Sequence, residues 1–310
     1  MRRFVLCILL TCCVQFAQAQ ATLFDAIRKN DLPSVKQELE KGADANSKDA
    51  DGDYALMLSA VYGSVDMMEV LLDKGANPNL KNTDGETALM WAAHDLDKMK
   101  LLLRKGADVN ARAATGNTPL LIASVGSQQL TAIRYLVDNG ADPLAKNKRG
   151  ENALMRAALF GDTATISYLL AQGLPIDDMD TTKATALLNA IFNVNRPVTF
   201  MLLDRGANPD LKAAFGLTAV TGVVTFNDMP SVKAVLEKAK DINTADDGGY
   251  NALMWAVYNE HDNPGIIQAL LDKGADINQK AKDGSTALSW AVKKGATKTV
   301  ELLKKAGAKL

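Results

Sequence analysis

The sequence predicts an all-α repeat protein made of about nine helix-turn-helix copies, each of roughly 33 residues. A Gly-Ala-Asp/Asn motif recurs along the chain at spacings of 33, 31, 34, 33, 33, 33, 35 and 33 residues. The segment before each motif places apolar residues at i, i+3 and i+4, as in Ile133, Leu136 and Val137, which is the spacing of one helix face. The clear copies of the motif begin at Gly42, Gly75, Gly106, Gly140, Gly206 and Gly274, and degenerate copies begin at Gly173, Ala239 and Gly307.

The first helix of each copy is predicted from a second motif, which lies about 18 residues before the glycine motif. It reads Thr-Ala-Leu-Met at 87–90, Thr-Pro-Leu-Leu at 118–121 and Thr-Ala-Leu-Ser at 286–289. The second helix is predicted to begin near a proline in four copies, because the first turn of a helix does not need the N–H that proline lacks. These prolines are Pro33, Pro197, Pro230 and Pro264.

The turn after the second helix completes each copy. Its glycine suits the left-handed backbone that commonly ends a helix, and a polar turn such as residues 82–85 then leads to the next copy. Two short helices cannot bury enough apolar surface alone, so the copies are expected to stack as one domain over residues 20–310. The repeats are predicted to end near Asn46, Asn79, Asn110, Leu144, Asp177, Asp210, Asn243, Asn278 and Leu310.

The two end copies carry a charged residue where the others are usually apolar, just before the glycine motif. These residues are Glu38 in the first copy and Lys304 in the last. Terminal repeats need a polar outer face, so both side chains are expected to face solvent and the array is expected to be complete.

Taken together, the two motifs resemble the ankyrin-repeat family, whose repeat opens with Thr-Pro-Leu-His and closes with Gly-Ala-Asp-x-Asn. The resemblance covers residues 22–310 and implies an ankyrin solenoid with short hairpin-like turns that binds proteins. One departure is that the histidine of the motif, which hydrogen-bonds nearby backbone in the family, is leucine or a small polar residue in some copies. In four copies it is Met57, Met90, Met155 or Met254.

The first 19 residues predict a cleavable signal peptide. Residues 4–14 are apolar apart from one threonine, and Ala-Gln-Ala at 17–19 provides a cleavage pattern before Gln20. Such a segment is too short to cross a bilayer, which takes about 20 apolar residues. A buried N-terminal helix and a lipoprotein modified at Cys12 are the alternatives. We expect export to the periplasm, or full secretion, with no membrane insertion after the signal is removed.

The sequence contains few of the residues and motifs that catalysis commonly uses. All three cysteines lie before residue 14, and His94 and His261 are far apart, so no metal-ligand spacing exists. The glycines match no phosphate-binding or dinucleotide motif. Removing the two arginines of the signal peptide leaves 33 basic and 36 acidic residues, a near balance that does not indicate nucleic acid as a partner. The sequence therefore predicts no enzyme, no cofactor and no metal, and a monomer is expected.

Aromatic residues are the candidate partner-binding residues. In ankyrin-like arrays, the ends of the first helices and the turn tips form the concave binding face, and clustered exposed aromatics mark interaction sites. Burial between adjacent repeats is the alternative for several of them. Trp91, Trp255 and Trp290, which follow the first motif, are instead expected to pack. The candidates are Tyr62, Phe160, Phe192, Phe226 and Tyr258 at the helix ends, with Phe215 and Tyr250 at the turn tips.

Three functional hypotheses follow. The resemblance to exported bacterial ankyrin-repeat proteins favours an inhibitor or immunity protein that restrains a wall- or membrane-degrading enzyme. The second hypothesis is an accessory factor for a periplasmic redox or oxidative-stress enzyme such as a catalase. The third is a hydrolase hidden on the scaffold. Loop lengths that vary around residues 94–96 and 259–265 either are silent or shape a docking surface.

Overall fold

The computed structural model describes residues 22–226, 228–259 and 264–309, and within them it is built from short helices. The predicted all-α ankyrin fold is confirmed, since first and second helices alternate along the chain and pack in pairs. An isolated antiparallel bridge joins Lys48 to Tyr54 in one of the hairpin-like turns. The predicted signal peptide at 1–19, His261 and Leu310 lie outside the described residues.

The chain divides into two compact units. The first comprises the described residues up to 123 together with 129–148, and the second comprises 124–128 and the described residues from 149 onward. The helices of the first unit are α1 (22–28), α2 (Leu32–Glu40), α3 (Ala55–Tyr62), α4 (Val65–Asp73), α5 (Ala88–Trp91), α6 (Leu96–Arg104), α7 (Pro119–Ala123) and α8 (Leu130–Asp138). Those of the second are α9 (Ala153–Phe160), α10 (Thr163–Ala171), α11 (Ala186–Phe192), α12 (Arg196–Asp204), α13 (Ala219–Val223), α14 (Met229–Lys238), α15 (Ala252–Asn259), α16 (Pro264–Asp272), α17 (Ala287–Lys294) and α18 (Thr297–Lys305), with 3-10 helices η1 (Ala214–Gly216) and η2 (Val224–Phe226).

Each unit has two layers. In the second unit the first helices pack in sequence from α9 through α11, α13 and α15 to α17, and the second helices pack from α10 through α12, α14 and α16 to α18. The leucines and methionines of the helical motifs fill the space between the layers, as Leu154 and Met155 of α9 show by their burial. The stacked arrangement therefore supplies the apolar contacts that a single repeat lacks.

The second helices begin and end as their sequences predict. Pro33 lies in the first turn of α2, Pro197 lies in the first turn of α12, and Pro230 lies in the first turn of α14. Gly75, which follows α4, has φ 89°, and its N–H donates to the Leu72 carbonyl. A left-handed residue is needed there to turn the chain back over the helix end. Where alanine replaces this glycine, at Ala239, the backbone is extended instead, with φ −68°.

The asparagine that closes the glycine motif joins neighbouring repeats. Asn79 Nδ2 donates to the Gly106 carbonyl at 2.9 Å, and its Oδ1 accepts from the Asp108 N–H at 2.7 Å. In the second unit, Asn243 makes the same two contacts with Gly274 and Asp276. This motif position therefore fixes the spacing of adjacent repeats.

The expectation that Glu38 faces solvent is wrong, because its side chain is buried. Its carboxylate accepts hydrogen bonds from Thr22 Oγ1 at 2.8 Å and from Lys41 Nζ at 2.9 Å. These two donors, with that of Lys41 the stronger influence, lower the pKa of Glu38. Lys304 at the other end is exposed, as expected.

None of the helices within the described residues combines the length and the apolar composition that crossing a bilayer would take.

Candidate functional site

Six of the seven candidate aromatic residues are substantially exposed. Phe215 is 76% exposed, and the five at the ends of first helices are between 40% and 56% exposed. Tyr250 is half-buried. The six exposed residues are Tyr62, Phe160, Phe192, Phe215, Phe226 and Tyr258.

The helix-end positions follow from where the first helices stop. Tyr62, Phe160 and Phe192 are the last residues of α3, α9 and α11, beyond the buried motif residues. The expectation that Phe226 ends an α-helix is wrong, because α13 stops at Val223 and Phe226 lies in η2. Thr225 Oγ1 donates to the Gly222 carbonyl at 2.7 Å there, a local bond that competes with continued α-helical pairing.

Phe192 and Phe226, from adjacent repeats of the second unit, form one aromatic pair. Their ring centroids are 6.0 Å apart at an interplanar angle of 76°, an edge-to-face contact that favours a fixed orientation. Phe192 also lies against α13, where a Cβ on Gly222 would be in ordinary van der Waals contact with the ring, at 3.5 Å. The pair therefore leaves part of both rings in solvent while holding them in place.

An ion pair lies next to this aromatic pair. Arg196 donates to the Asp228 carboxylate from Nη2 at 2.5 Å and from Nε at 3.1 Å, and the Ser231 hydroxyl donates to the same carboxylate. Burial of Asp228 raises its pKa, but the hydrogen bonds from Arg196 and Ser231 outweigh this, and the pKa is lowered. Asp228 directly precedes α14 and, with Phe226, lines a small cavity of about 10 Å³.

Four further rings of the second unit form a continuous row, called here the aromatic ladder: Tyr250, Trp255, Tyr258 and Trp290. Neighbouring centroids lie 6.1, 5.8 and 5.2 Å apart, and the last two contacts are edge-to-face. Trp255 and Tyr258 are three residues apart on α15, a spacing that puts both on one helix face. Trp290 extends the row onto α17.

Two lysines lie over the end of the aromatic ladder. Lys293 Nζ is 5.0 Å from the Trp290 centroid, and Lys294 Nζ is 5.4 Å from the Tyr258 centroid, both within the range of cation–π attraction. Lys294 also donates to the backbone carbonyl of Tyr258. The ladder therefore has a positively charged end.

The indole nitrogens of the three equivalent tryptophans differ in their partners. Trp91 Nε1 donates to Glu86 at 2.7 Å, and Trp255 Nε1 donates to Asp246 at 2.9 Å. Trp290 Nε1 is buried and has no acceptor among the described residues. The residue five positions before it is Ser285, which is too short to play the role of Glu86. Packing with Tyr258 and Lys293 therefore holds the Trp290 ring.

Tyr250 is fixed by a bond between adjacent turn tips. Its hydroxyl donates to Asp283 Oδ2 at 2.7 Å, and this bond raises the pKa of Tyr250. Hydrogen bonds from Ser285 first, and from Tyr250 second, lower the pKa of Asp283 to about 2. Asp283 is therefore charged throughout the physiological range, and the Tyr250 ring is pinned above Trp255.

Sequence reasoning missed the two tryptophans of the ladder, which were expected only to pack. Trp255 is half-buried between Tyr250 and Tyr258, and Trp290 is half-buried at the end of the row, beside Tyr258. Trp91 does pack, against a buried cluster of Met90, Ala111 and Ala113. The spacing of 35 residues between the two ladder tryptophans, one repeat length, was the available signal.

Within the part of the chain that the structure describes, no group of three or more His, Cys, Asp and Glu residues is arranged to hold a metal ion. His94 is exposed in the short turn after α5. What the geometry does provide is a set of exposed and half-buried rings, several of which are held by ring contacts, cation–π contacts and a turn-to-turn hydrogen bond. Such an arrangement favours contact with another surface.

Comparison with known proteins agrees with the repeat pattern. A family model described as ankyrin repeats in three copies matches residues 23–113, 120–213, 187–281 and 223–310. An ankyrin repeat-containing protein of Treponema pallidum (strain Nichols) is 38% identical over 141 residues, which are 45% of this chain and 47% of that protein. An L-asparaginase of Dirofilaria immitis is 29% identical over 137 residues, 44% of this chain and 23% of that protein. The chain thus spans about half or less of the length of these curated relatives.

Proposed function

Because this chain belongs to the ankyrin-repeat family, whose repeats are protein–protein interaction modules and generally non-catalytic, we propose that it is a non-catalytic protein that binds another protein. The partner contacts the exposed aromatic residues at the ends of the first helices and at the turn tips. Export by the N-terminal segment puts this interaction in the periplasm, or outside the cell.

The observation that carries the proposal is that several of the candidate rings are already held in place. Phe192 and Phe226 contact each other edge-to-face, and the Tyr250 hydroxyl is bonded to Asp283. A side chain that is fixed before binding loses little conformational entropy when it docks. Large aromatic residues also dominate interface energies, with about 2 kcal/mol or more lost on truncation of a central one.

We further propose that the partner is a wall- or membrane-degrading enzyme that this protein restrains. A preformed surface supports tight inhibition, because little conformational entropy is lost in ordering loops when the partner binds. The similarity to an L-asparaginase supports no activity in this chain, since it covers 23% of that enzyme. Absence of cysteine after residue 13 also agrees with a role that needs no thiol chemistry.

The test compares two variants in capture from cell-envelope extract. Phe160→Ala, Phe226→Ala and Tyr250→Ala are combined in one chain, and Leu144→Ala serves as the matched control, because Leu144 is an apolar side chain that is 54% exposed. We expect the triple variant to retain its helical circular dichroism and to lose at least about tenfold in partner capture, as removal of hot-spot rings implies. The control variant should capture the partner normally.

Capture that the triple change leaves intact would exclude these three rings as contacts of the partner. The captured protein then decides the role: purified chain should slow its hydrolysis of wall or lipid substrate in a dose-dependent way. A redox enzyme in the captured fraction, with no hydrolase, would replace inhibition by a supporting role.

A further inference from the structure

Two adjacent turn tips of the second unit carry side chains where the backbone favours glycine. Lys183 has φ 60° and Phe215 has φ 61°, both in the left-handed region. Lys183 stands at the tip position that is a left-handed glycine in the other copies, and Phe215 directly precedes the glycine of its own tip, Gly216. The tip glycines of the other copies are Gly52, Gly85, Gly116, Gly150, Gly249 and Gly284.

Phe215 is the more unusual of the two residues. A bulky residue with positive φ is an outlier, and each such residue stores free energy that the surrounding structure must offset. With ψ 15° at Phe215 and φ 74° at Gly216, the tip is a tight turn whose first central position favours asparagine, aspartate or glycine. The backbone conformation at position 215 therefore does not favour phenylalanine.

The Phe215 side chain contributes little to its own repeat, because 76% of it is in solvent. This turn tip contacts the neighbouring repeats through backbone hydrogen bonds instead. The Phe215 carbonyl accepts from the Asp247 N–H at 2.9 Å, and the Ala214 N–H donates to the Thr182 carbonyl at 2.7 Å. Asparagine at 215 would leave both backbone bonds intact. The Phe215 ring therefore projects from a turn that would be more stable with asparagine at position 215.

Charge is distributed unevenly around this tip. An open cleft of about 330 Å³ is lined by residues 181–183 and 212–216 and by Asp247. The exposed Lys183 and Lys212 both line it, and neither forms an ion pair with the described residues. Lys212 contributes to lowering the pKa of Asp241, after hydrogen bonds from Thr244 and Asn243. Two ammonium groups therefore flank the ring, against one carboxylate among the lining residues.

We propose that Phe215 is the anchor of the interface and that its occupant is a folded protein with an apolar pocket edged by carboxylates. A rigid, projecting ring fits a preformed pocket rather than a flexible peptide, because a peptide would have to fold around it. The carboxylates pair with Lys183 and Lys212. The inference rests on the proposed function, to which it adds the chemistry of the partner surface.

The test exploits opposite effects on folding and binding. Phe215→Asn should lower the unfolding equilibrium constant by about tenfold, because asparagine tolerates the left-handed backbone, yet it should weaken capture of the envelope partner by at least about tenfold. Gln128→Asn is the matched control, since Gln128 is also exposed and left-handed, with φ 61°, but lies outside the cleft. It should keep full capture.

A photo-crosslinking side chain, benzoylphenylalanine, placed at 215 in the full chain identifies what the ring touches. We expect the crosslinked peptide of the partner to map to a pocket with aspartate or glutamate at its edge, and we expect Lys183→Glu with Lys212→Glu to reduce capture at low salt. Normal capture by Phe215→Asn, a less stable Phe215→Asn chain, or a crosslink to a basic surface would each overturn the anchor while leaving the proposed function standing. No capture even by the wild-type chain would overturn both.

Discussion

Replacing Asp228 with asparagine tests how much the ion pair beside the Phe192–Phe226 pair contributes to stability. Asp228 accepts two hydrogen bonds from Arg196 and one from Ser231, and it directly precedes α14. The amide of Asp228→Asn keeps the shape of the side chain, but it loses the charge and replaces one accepting oxygen with a donating NH2 group. The change therefore separates the contribution of charge from that of packing.

The expected loss of stability is about 2 kcal/mol at neutral pH. Hydrogen bonds to a charged group contribute about 1.5–3 kcal/mol, against about 0.5–1.5 for neutral ones, so the bonds to the remaining amide oxygen weaken by roughly 1 kcal/mol each and at least one bond, to the oxygen that becomes the NH2 group, is lost. The Arg196 side chain is 49% exposed, which weakens its two bonds through solvent screening. Asparagine also costs less to bury than aspartate, and the two effects reduce the sum.

The loss should depend on pH in one direction. The folded pKa of Asp228 is lowered from its ordinary 3.8, so its contribution is fully present above about pH 4–5 and is lost as the pH falls through the folded pKa. Urea unfolding of both chains, followed by circular dichroism, should show a difference at pH 7 that shrinks below pH 4. Glu237→Gln, an exposed change in the same helix, should differ little from wild type. A deficit of the same size at pH 3 and pH 7 would mean that charge is not the cause.

Two other predictions concern the turn tips. Ser285→Ala and Tyr250→Phe should each raise the pKa of Asp283 from about 2 toward 3.8, with the larger effect from Ser285→Ala, because the hydrogen bond from Ser285 is the stronger influence. The pKa of each variant is measured by following carboxylate chemical shifts against pH. A pKa that is unchanged, or that rises equally in both variants, would contradict the prediction. Gly216→Ala should destabilise more than Gly284→Ala, because a Cβ at 216 would lie 2.8 Å from a backbone nitrogen of the next turn, whereas none lies within 4 Å at 284. Both glycines have positive φ, so the backbone penalty is shared and the difference between their unfolding midpoints reports the clash alone.

The fold was predictable because every copy of the repeat needs the same residue types at the same positions. A left-handed glycine, an asparagine that bridges to the next repeat and buried motif residues recur at fixed offsets, so Gly75 and Asn79 carry the same information as Gly274 and Asn278. Glu38 was predicted wrongly because its environment is not periodic: Thr22 and Lys41 bond it, and neither contact recurs in the other copies.

The candidate site was predictable in position but not in geometry. Equivalent positions of adjacent repeats stack, so residues 192 and 226, which are 34 apart, were expected to lie on the same surface. Whether two rings touch depends on how each side chain is oriented, which the repeat period does not specify. The short helix at 226 depends on the local bond of Thr225, which the repeat period does not encode.

Repeats also supply their own comparison, because equivalent residues meet nearly the same backbone. Trp91, Trp255 and Trp290 share one position, but two of their indole N–H groups have a carboxylate acceptor and that of Trp290 has none among the described residues. A buried donor without a partner costs free energy comparable to a lost hydrogen bond. Contacts with Tyr258 and Lys293 therefore hold the Trp290 ring at a position where its two equivalents rely on a carboxylate acceptor as well.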